Sequence, residues 1–243
     1  PLGRQLASNG YYEFGRAVRN NDLDYRAFYR VMPGEQALSL LREDLQEPGT
    51  PGPQSPGALG LARRVTATGS RRELNVGMVS MESLGADDVE SFGGRPGLTP
   101  NLDALARDGL MFTGLYATGL RTVRGIEALT LSLPPTPGHA VPMRKRNKGF
   151  QTLGGVFREQ GYESLYIYGG YAYFDNMRDF FAGNGYTVVD RTAIATEDIT
   201  HETIWGVADE DLFSLALREI DARAARGTKV FAHILTTSNH RPF

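Results

Sequence analysis

Three short stretches of the chain place reactive side chains next to elements that could hold them. Glu82 follows the apolar run "NVGMVSM" at 75–81. Thr122 lies between Arg121 and Arg124 in "ATGLRTVRGIEALTL", where a loop turns into a helix. Ser238, Asn239 and His240 follow the apolar run "KVFAHILTT" at 229–237. A helix start gathers unpaired N–H groups and partial positive charge, so phosphate is welcome there. Thr122 is then either a helix N-cap or a nucleophile held where an anion binds. Glu82 reads equally as a ligand or as a solvated strand end, and His240 as a substrate contact or a hydrogen-bonded structural group. Arg121 and Arg124 read as solvated cations or as anion contacts.

The elements around these residues follow one pattern. The runs at 75–81, 163–170 ("ESLYIYGG") and 229–237 are nearly continuous in apolar residues, as buried parallel strands are. Thr99 and Pro100 open a helix that Gly109 closes, with Leu102, Leu105 and Ala106 on its apolar side. Residues 119–133 form a turn and a helix carrying Ile126, Leu129, Thr130 and Leu133 on one face, and 209–225 form another helix. Strands alternating with helices predict an α/β fold with a central, mostly parallel sheet. Ligands of such sheets collect at the carboxyl ends of the strands. That edge is where Glu82, His240 and the loop after the second strand, with Asp175 and Asn176, all fall.

Composition bounds the chemistry. The 243 residues carry a formal charge of −2, which offers no basic field for nucleic acid. There is no cysteine, so disulfides, zinc–thiolate sites and a cysteine nucleophile are excluded. No apolar run approaches the ~20 residues that span a bilayer. Residues 4–46 are aromatic-rich and amphipathic, which reads as two surface helices or as a connector lying along a lipid surface. Residues 47–72 begin with "QEPGTPGPQSPGAL" and read as a linker, and 73–243 as the main domain. The chain stops just after a strand pattern, from which a domain incomplete at its C-terminus is expected.

The segment "TPNLDALARDGLMFTGLYAT" (99–118) resembles the stretch leading to the nucleophile in sulfatases and their relatives in the alkaline phosphatase superfamily. Thr122 falls at the nucleophile position. Sulfatases carry Cys-x-Pro-x-Arg there, and this chain has Thr-Val-Arg-Gly, which resembles the phosphoglycerol and phosphoethanolamine transferases. "NGYYEFGRAVRNNDLDYRAFY" (9–29), "VSMESLG" (79–85) and "TTSNHRPF" (236–243) resemble the connector, the metal-binding strand end and the substrate-binding histidine motif of lipoteichoic acid synthase-like proteins.

The resemblance implies a sulfatase-like domain whose metal ligands include Glu82 and Thr122, with Thr122 also the nucleophile. It implies a divalent cation, Mn²⁺ before Mg²⁺ or Zn²⁺, and substrate contacts from His240, Arg124, Asn176 and Asp175. The family's remaining ligands, an aspartate and histidine pair, are expected beyond residue 243. The implied donor is phosphatidylglycerol and the implied acceptor a glycan or polyglycerolphosphate. The implied setting is the bacterial cytoplasmic membrane, reached through a preceding membrane region, with the catalytic domain facing the periplasm or cell exterior. A hydrolase of the same superfamily and a non-catalytic binding domain on this fold are the alternatives.

Overall fold

A computed structural model describes residues 9–19, 25–45, 61, 69–70 and 72–242. The chain divides into two compact units, Pro1–Arg72 and Glu73–Phe243. In the first, α1 (Gly10–Arg19), α2 (Tyr25–Phe28) and α3 (Gly34–Asp44) fall within the segment whose periodicity predicts helix. Asn9 opens α1, its Oδ1 accepting the N–H of Tyr11 at 3.0 Å. The Pro/Gly-rich linker at 47–60 lies outside the described residues.

The second unit holds a four-stranded sheet. In chain order it runs β1 (Val76–Ser80), α4 (Pro100–Asp108), α5 (Thr122–Leu131), α6 (Leu153–Glu159), β2 (Tyr162–Tyr168), α7 (Met177–Gly183), β3 (Thr187–Asp190), α8 (Asp209–Ala224) and β4 (Lys229–Leu235). The strand order is β1-β4-β2-β3 and every pairing is parallel. Strand periodicity sorts the core into two layers. Tyr166, Tyr168, Phe231 and Leu235 face one side with Ile126 of α5 and Phe180 and Phe181 of α7. Leu165, Ile167, Val230, Ala232 and Ile234 face the other, covered by Leu212, Leu215 and Ala216 of α8. Both faces of β2 and β4 are covered, which is why these two read as unbroken apolar runs. β1 lies at the sheet edge and is covered on one face only, with Gly77 and Val79 exposed, so the run at 75–81 is not the fully buried strand that the sequence predicts.

The sheet has one strand more than the sequence pattern predicts. β3 is only four residues long, "TVVD", and it pairs along a single edge of β2. α6 is obscured by Gly154 and Gly155, which remove its apolar signal and admit close packing: a Cβ on Gly154 would lie 2.3 Å from the Tyr186 ring. β2 ends at Tyr168, two residues short of the apolar run. The buried faces of two helices also differ from expectation. α5 buries Val123, Ile126, Glu127 and Thr130, while Leu129 and Leu133 are exposed. Ser132, at φ 55°, ends α5 before Leu133 can join it. α4 buries Asp103 and exposes Leu105, because the Asp103 carboxylate accepts the N–H and hydroxyl of Ser91 and the hydroxyl of Thr99. These bonds, that of the Ser91 hydroxyl foremost, hold the carboxyl below its usual range.

Candidate functional site

β1 delivers Glu82 to the carboxyl edge of the sheet, and β4 fixes it there. Beyond the ladder, the Thr236 N–H donates to Ser80 O at 3.1 Å. The Glu82 N–H in turn donates to Thr236 Oγ1 at 2.9 Å. Thr236 is buried, so this clasp is shielded from competing water. The parallel register of Ser80 with Leu235 places the two loops side by side.

α5 brings the hydroxyl. Arg121, in extended conformation, occupies the N-cap position, and Thr122 is the first helical residue. Of the two readings of Thr122, capping is therefore excluded by its position. Its Oγ1 donates to Glu82 Oε2 at 2.7 Å. The other carboxylate oxygen, Oε1, accepts the Ser83 hydroxyl at 2.9 Å.

The loop after β2 supplies a second charged pair. Asp175 and Asn176 both adopt left-handed backbone, at φ 47° and 60°, a conformation that Asn and Asp tolerate better than most residues. The Asp175 carboxylate accepts from Arg121 through both oxygens at 3.1 Å. Asn176 Nδ2 donates to Pro142 O at 3.0 Å. Tyr168, at the end of β2, is buried, and its hydroxyl is pushed up to about 12 by burial and by the negative charges of Glu82 and Asp175. It stays protonated in the physiological range, a neutral group facing two carboxylates.

His240 stands on the same loop as Thr236. Its Nδ1 lies 2.8 Å from Arg241 O, and a carbonyl accepts, so Nδ1 carries the proton and Nε2 keeps its lone pair in the neutral ring. The ring packs 3.8 Å from that of Trp205, whose Nε1 donates to the same carbonyl at 2.9 Å. The strap carrying Trp205 lies tightly on the sheet edge: a Cβ on Gly206 would come within 2.4 Å of Gly169 O. Arg124 directs its guanidinium to Glu127 Oε1 at 2.8 Å, to Thr136 O at 2.9 Å and to Gly138 O. Glu127 is fully buried and also accepts the Val141 N–H at 2.5 Å.

The fold thus gathers Glu82 and Thr122 in direct contact and brings Asp175 to the residue preceding Thr122. Asn176 and Arg124 brace neighbouring loops, and His240 flanks the clasp that holds Glu82. Spacing did not reveal Ser83, Thr236, Trp205 or the pairing of Arg121 with Asp175. Residues joined only through the sheet edge leave no periodic signal, although Ser83 and Thr236 do adjoin residues that the sequence singles out.

The donor set bears on metal binding. A carboxylate oxygen and a hydroxyl oxygen in contact suit a hard divalent cation. Among the described residues, no three His, Asp or Glu side chains are grouped so as to hold a metal ion. Nor is any helix among them long and apolar enough to cross a membrane.

Comparison with known proteins follows the same lines. The family model described as Sulfatase matches residues 75–243, which takes in the whole sheet. Phosphoglycerol transferase I of Xanthomonas campestris pv. campestris is 29% identical over 157 residues, covering 60% of this chain and 22% of that protein. The chain therefore spans about a fifth of the length of that curated relative. A protein in the alkaline phosphatase superfamily from Vibrio parahaemolyticus superposes with a TM-score of 0.80 at 38% identity, over 90% of this chain and 52% of that one. The lipoteichoic acid synthase LtaP of Listeria monocytogenes shares the fold, with a TM-score of 0.62 at 18% identity over 70% of this chain and 42% of that one. With its family match, its parallel sheet and these neighbours in agreement, the chain belongs to the sulfatase family within the alkaline phosphatase superfamily.

Proposed function

We propose that this chain is the catalytic domain of a phosphoglycerol transferase in which Thr122 is the nucleophile. The observation carrying this reading is the 2.7 Å contact between Thr122 Oγ1 and Glu82 Oε2 at the start of α5. The contact aims the hydroxyl at a carboxylate, and the first turn of α5 turns its N–H groups toward an incoming phosphoryl group. A relative of low identity named phosphoglycerol transferase I supports the substrate class.

In this reading Thr122 Oγ attacks the phosphorus of phosphatidylglycerol, and its proton passes to Glu82 Oε2 as the new O–P bond forms. The bond to the diacylglycerol oxygen breaks, and that oxygen takes a proton as it leaves. Glycerol phosphate remains on Thr122. An acceptor hydroxyl, on a glycan or on polyglycerolphosphate, then attacks the same phosphorus and frees Thr122. Arg121 and the His240 ring contact the phosphoryl oxygens, and Asp175 holds Arg121 in place. Glu82 and Thr122 would hold a divalent cation, Mn²⁺ before Mg²⁺ or Zn²⁺, which when bound lowers the pKa of the hydroxyl and offsets charge on the phosphoryl oxygens. The lipid donor places the domain at the outer face of a bacterial cytoplasmic membrane, with residues 1–46 as the juxtamembrane connector and 47–72 as the linker.

The test is made on the intact protein with phosphatidylglycerol vesicles and Mn²⁺. Diacylglycerol release that depends on an added glucan or glycerol acceptor supports transfer. Release at the same rate without acceptor, with free glycerol phosphate as product, would make the protein a hydrolase instead.

A further inference from the structure

Ser83 departs from local backbone rules. Its φ is +51°, the left-handed region that glycine occupies freely and other residues only under strain. Glycine is plentiful elsewhere in the chain, at 29 positions, and among the described residues seven glycines supply positive φ where turns need it. Serine takes this backbone at Ser132 too, as the cap of α5, so the conformation alone assigns no role; at Ser83 the side chain has a partner. Its exposed hydroxyl makes one bond, to Glu82 Oε1 at 2.9 Å.

The left-handed turn is what makes that bond possible. Adjacent side chains on an extended strand point to opposite faces, so continuing β1 through Ser83 would carry its hydroxyl away from the carboxylate. Reversing the backbone at Ser83 folds the hydroxyl back onto Glu82. The Glu82 main chain is held separately, by Thr236. The carboxylate is thereby fixed at one oxygen by Ser83 and at its stem by β4, and the remaining oxygen meets Thr122.

We infer that Ser83 is a positioning residue, retained in strained backbone to orient the Glu82 carboxylate toward Thr122. This inference rests on the reading of Glu82 and Thr122 as the reactive pair. Groups that orient a reactive carboxylate act on turnover more than on substrate affinity, and losing one reduces activity by about tenfold to a hundredfold.

The test compares Ser83→Gly and Ser83→Ala in the intact protein, with bis(p-nitrophenyl) phosphate as a soluble phosphodiester, Mn²⁺ present, and thermal unfolding followed in parallel. Ser83→Gly removes the hydroxyl and the strain together, whereas Ser83→Ala removes the hydroxyl and keeps the strain. The expected result is a fall in kcat of about tenfold or more in both, with KM within about twofold, while Ser83→Gly has the higher Tm. Wild-type kcat in Ser83→Gly would overturn the inference, as would recovery by Ser83→Gly of activity that Ser83→Ala loses, since backbone relaxation would then explain the effect. Glu82→Gln and Thr122→Ala run alongside. If these two are inactive and Ser83→Gly is not, the positioning role fails and the reactive pair stands. If these two keep full activity, both readings fail.

Discussion

Thr122 and Glu82 lie forty residues apart in sequence and meet at 2.7 Å across the carboxyl edge of the sheet. The contact joins the first residue of α5 to the loop after β1, and nothing in the helix needs it. Thr122 caps no backbone N–H, because Arg121 occupies the cap position. The hydroxyl therefore has no capping duty in α5, and its loss should leave the helix intact.

Thr122→Ala should accordingly leave the fold intact and remove turnover. The structural loss is one partly buried hydrogen bond, roughly 0.5–1.5 kcal/mol. Loss of a covalent nucleophile lowers kcat by orders of magnitude. A thermal melt and a phosphodiesterase assay on the same preparation check both halves. Activity above about a tenth of wild type, a barrier change of only ~1.4 kcal/mol, would remove Thr122 from the nucleophile role.

Arg124→Ala should behave in the opposite way and register first as lost stability. Arg124 pairs with Glu127, which is fully buried, and ties it to the 136–138 loop. Removing the guanidinium leaves a buried carboxylate with one partner fewer, at a cost of about 3–5 kcal/mol. Urea unfolding measures this directly. Adding Glu127→Gln to Arg124→Ala should recover part of the loss, because the uncompensated charge is then gone.

Stability should fall as pH drops below neutrality, through His233. This ring is fully buried, its Nε2 lies 2.8 Å from Ser80 Oγ, and burial pushes its pKa down to about 3. In the unfolded chain it titrates near 6.5. Between those values the unfolded state holds a proton that the native state lacks, so acid favours unfolding. The contribution is fully present above about pH 6.5 and fades toward pH 3, with a loss of roughly 2 kcal/mol between pH 7 and pH 5. Asp103 and Asp190, whose pKa values are lowered, enter only below about pH 4. Urea unfolding at pH 7 and pH 5 checks the slope, and His233→Gln should flatten it.

Trp205 is the single tryptophan and packs on His240, so its fluorescence reports on the loop after β4. Gly206→Ala should displace the strap that carries it, because the added Cβ would meet Gly169 O at 2.4 Å and both partners are backbone. Overpacking of this kind costs about 1–3 kcal/mol. The expected signature is an emission shift toward that of a more hydrated indole. An unchanged spectrum would show that the strap relaxes without moving Trp205.

The parallel α/β sheet was legible because both faces of its central strands are buried, and doubly buried strands such as Leu165 to Tyr168 declare themselves as apolar runs, while β1 carries the same kind of run although its Val79 face is exposed. β3 was not, since four residues paired along one edge carry too little pattern. α7 escaped notice because it opens on two left-handed residues, Asp175 and Asn176, where a loop is the natural reading. At the site, resemblance singled out Glu82 and Thr122, and tertiary structure alone could bring them into contact. Ser83 lay beside Glu82 in plain view, but no propensity rule announces a serine that will adopt positive φ. Likewise the pairing of Arg121 with Asp175 spans 54 residues, and only the packing of α5 beside the loop after β2 creates it.

In the proposed reaction Thr122 carries the phosphoryl group during turnover. Rapid acid quench of the intact protein with phosphatidylglycerol and Mn²⁺, followed by proteolysis and peptide mass spectrometry, reads this out. A glycerol phosphate adduct should appear on Thr122, form at a rate competent for turnover, and vanish when acceptor is added. Turnover with no adduct on Thr122, or with the adduct on another side chain, would contradict the claim.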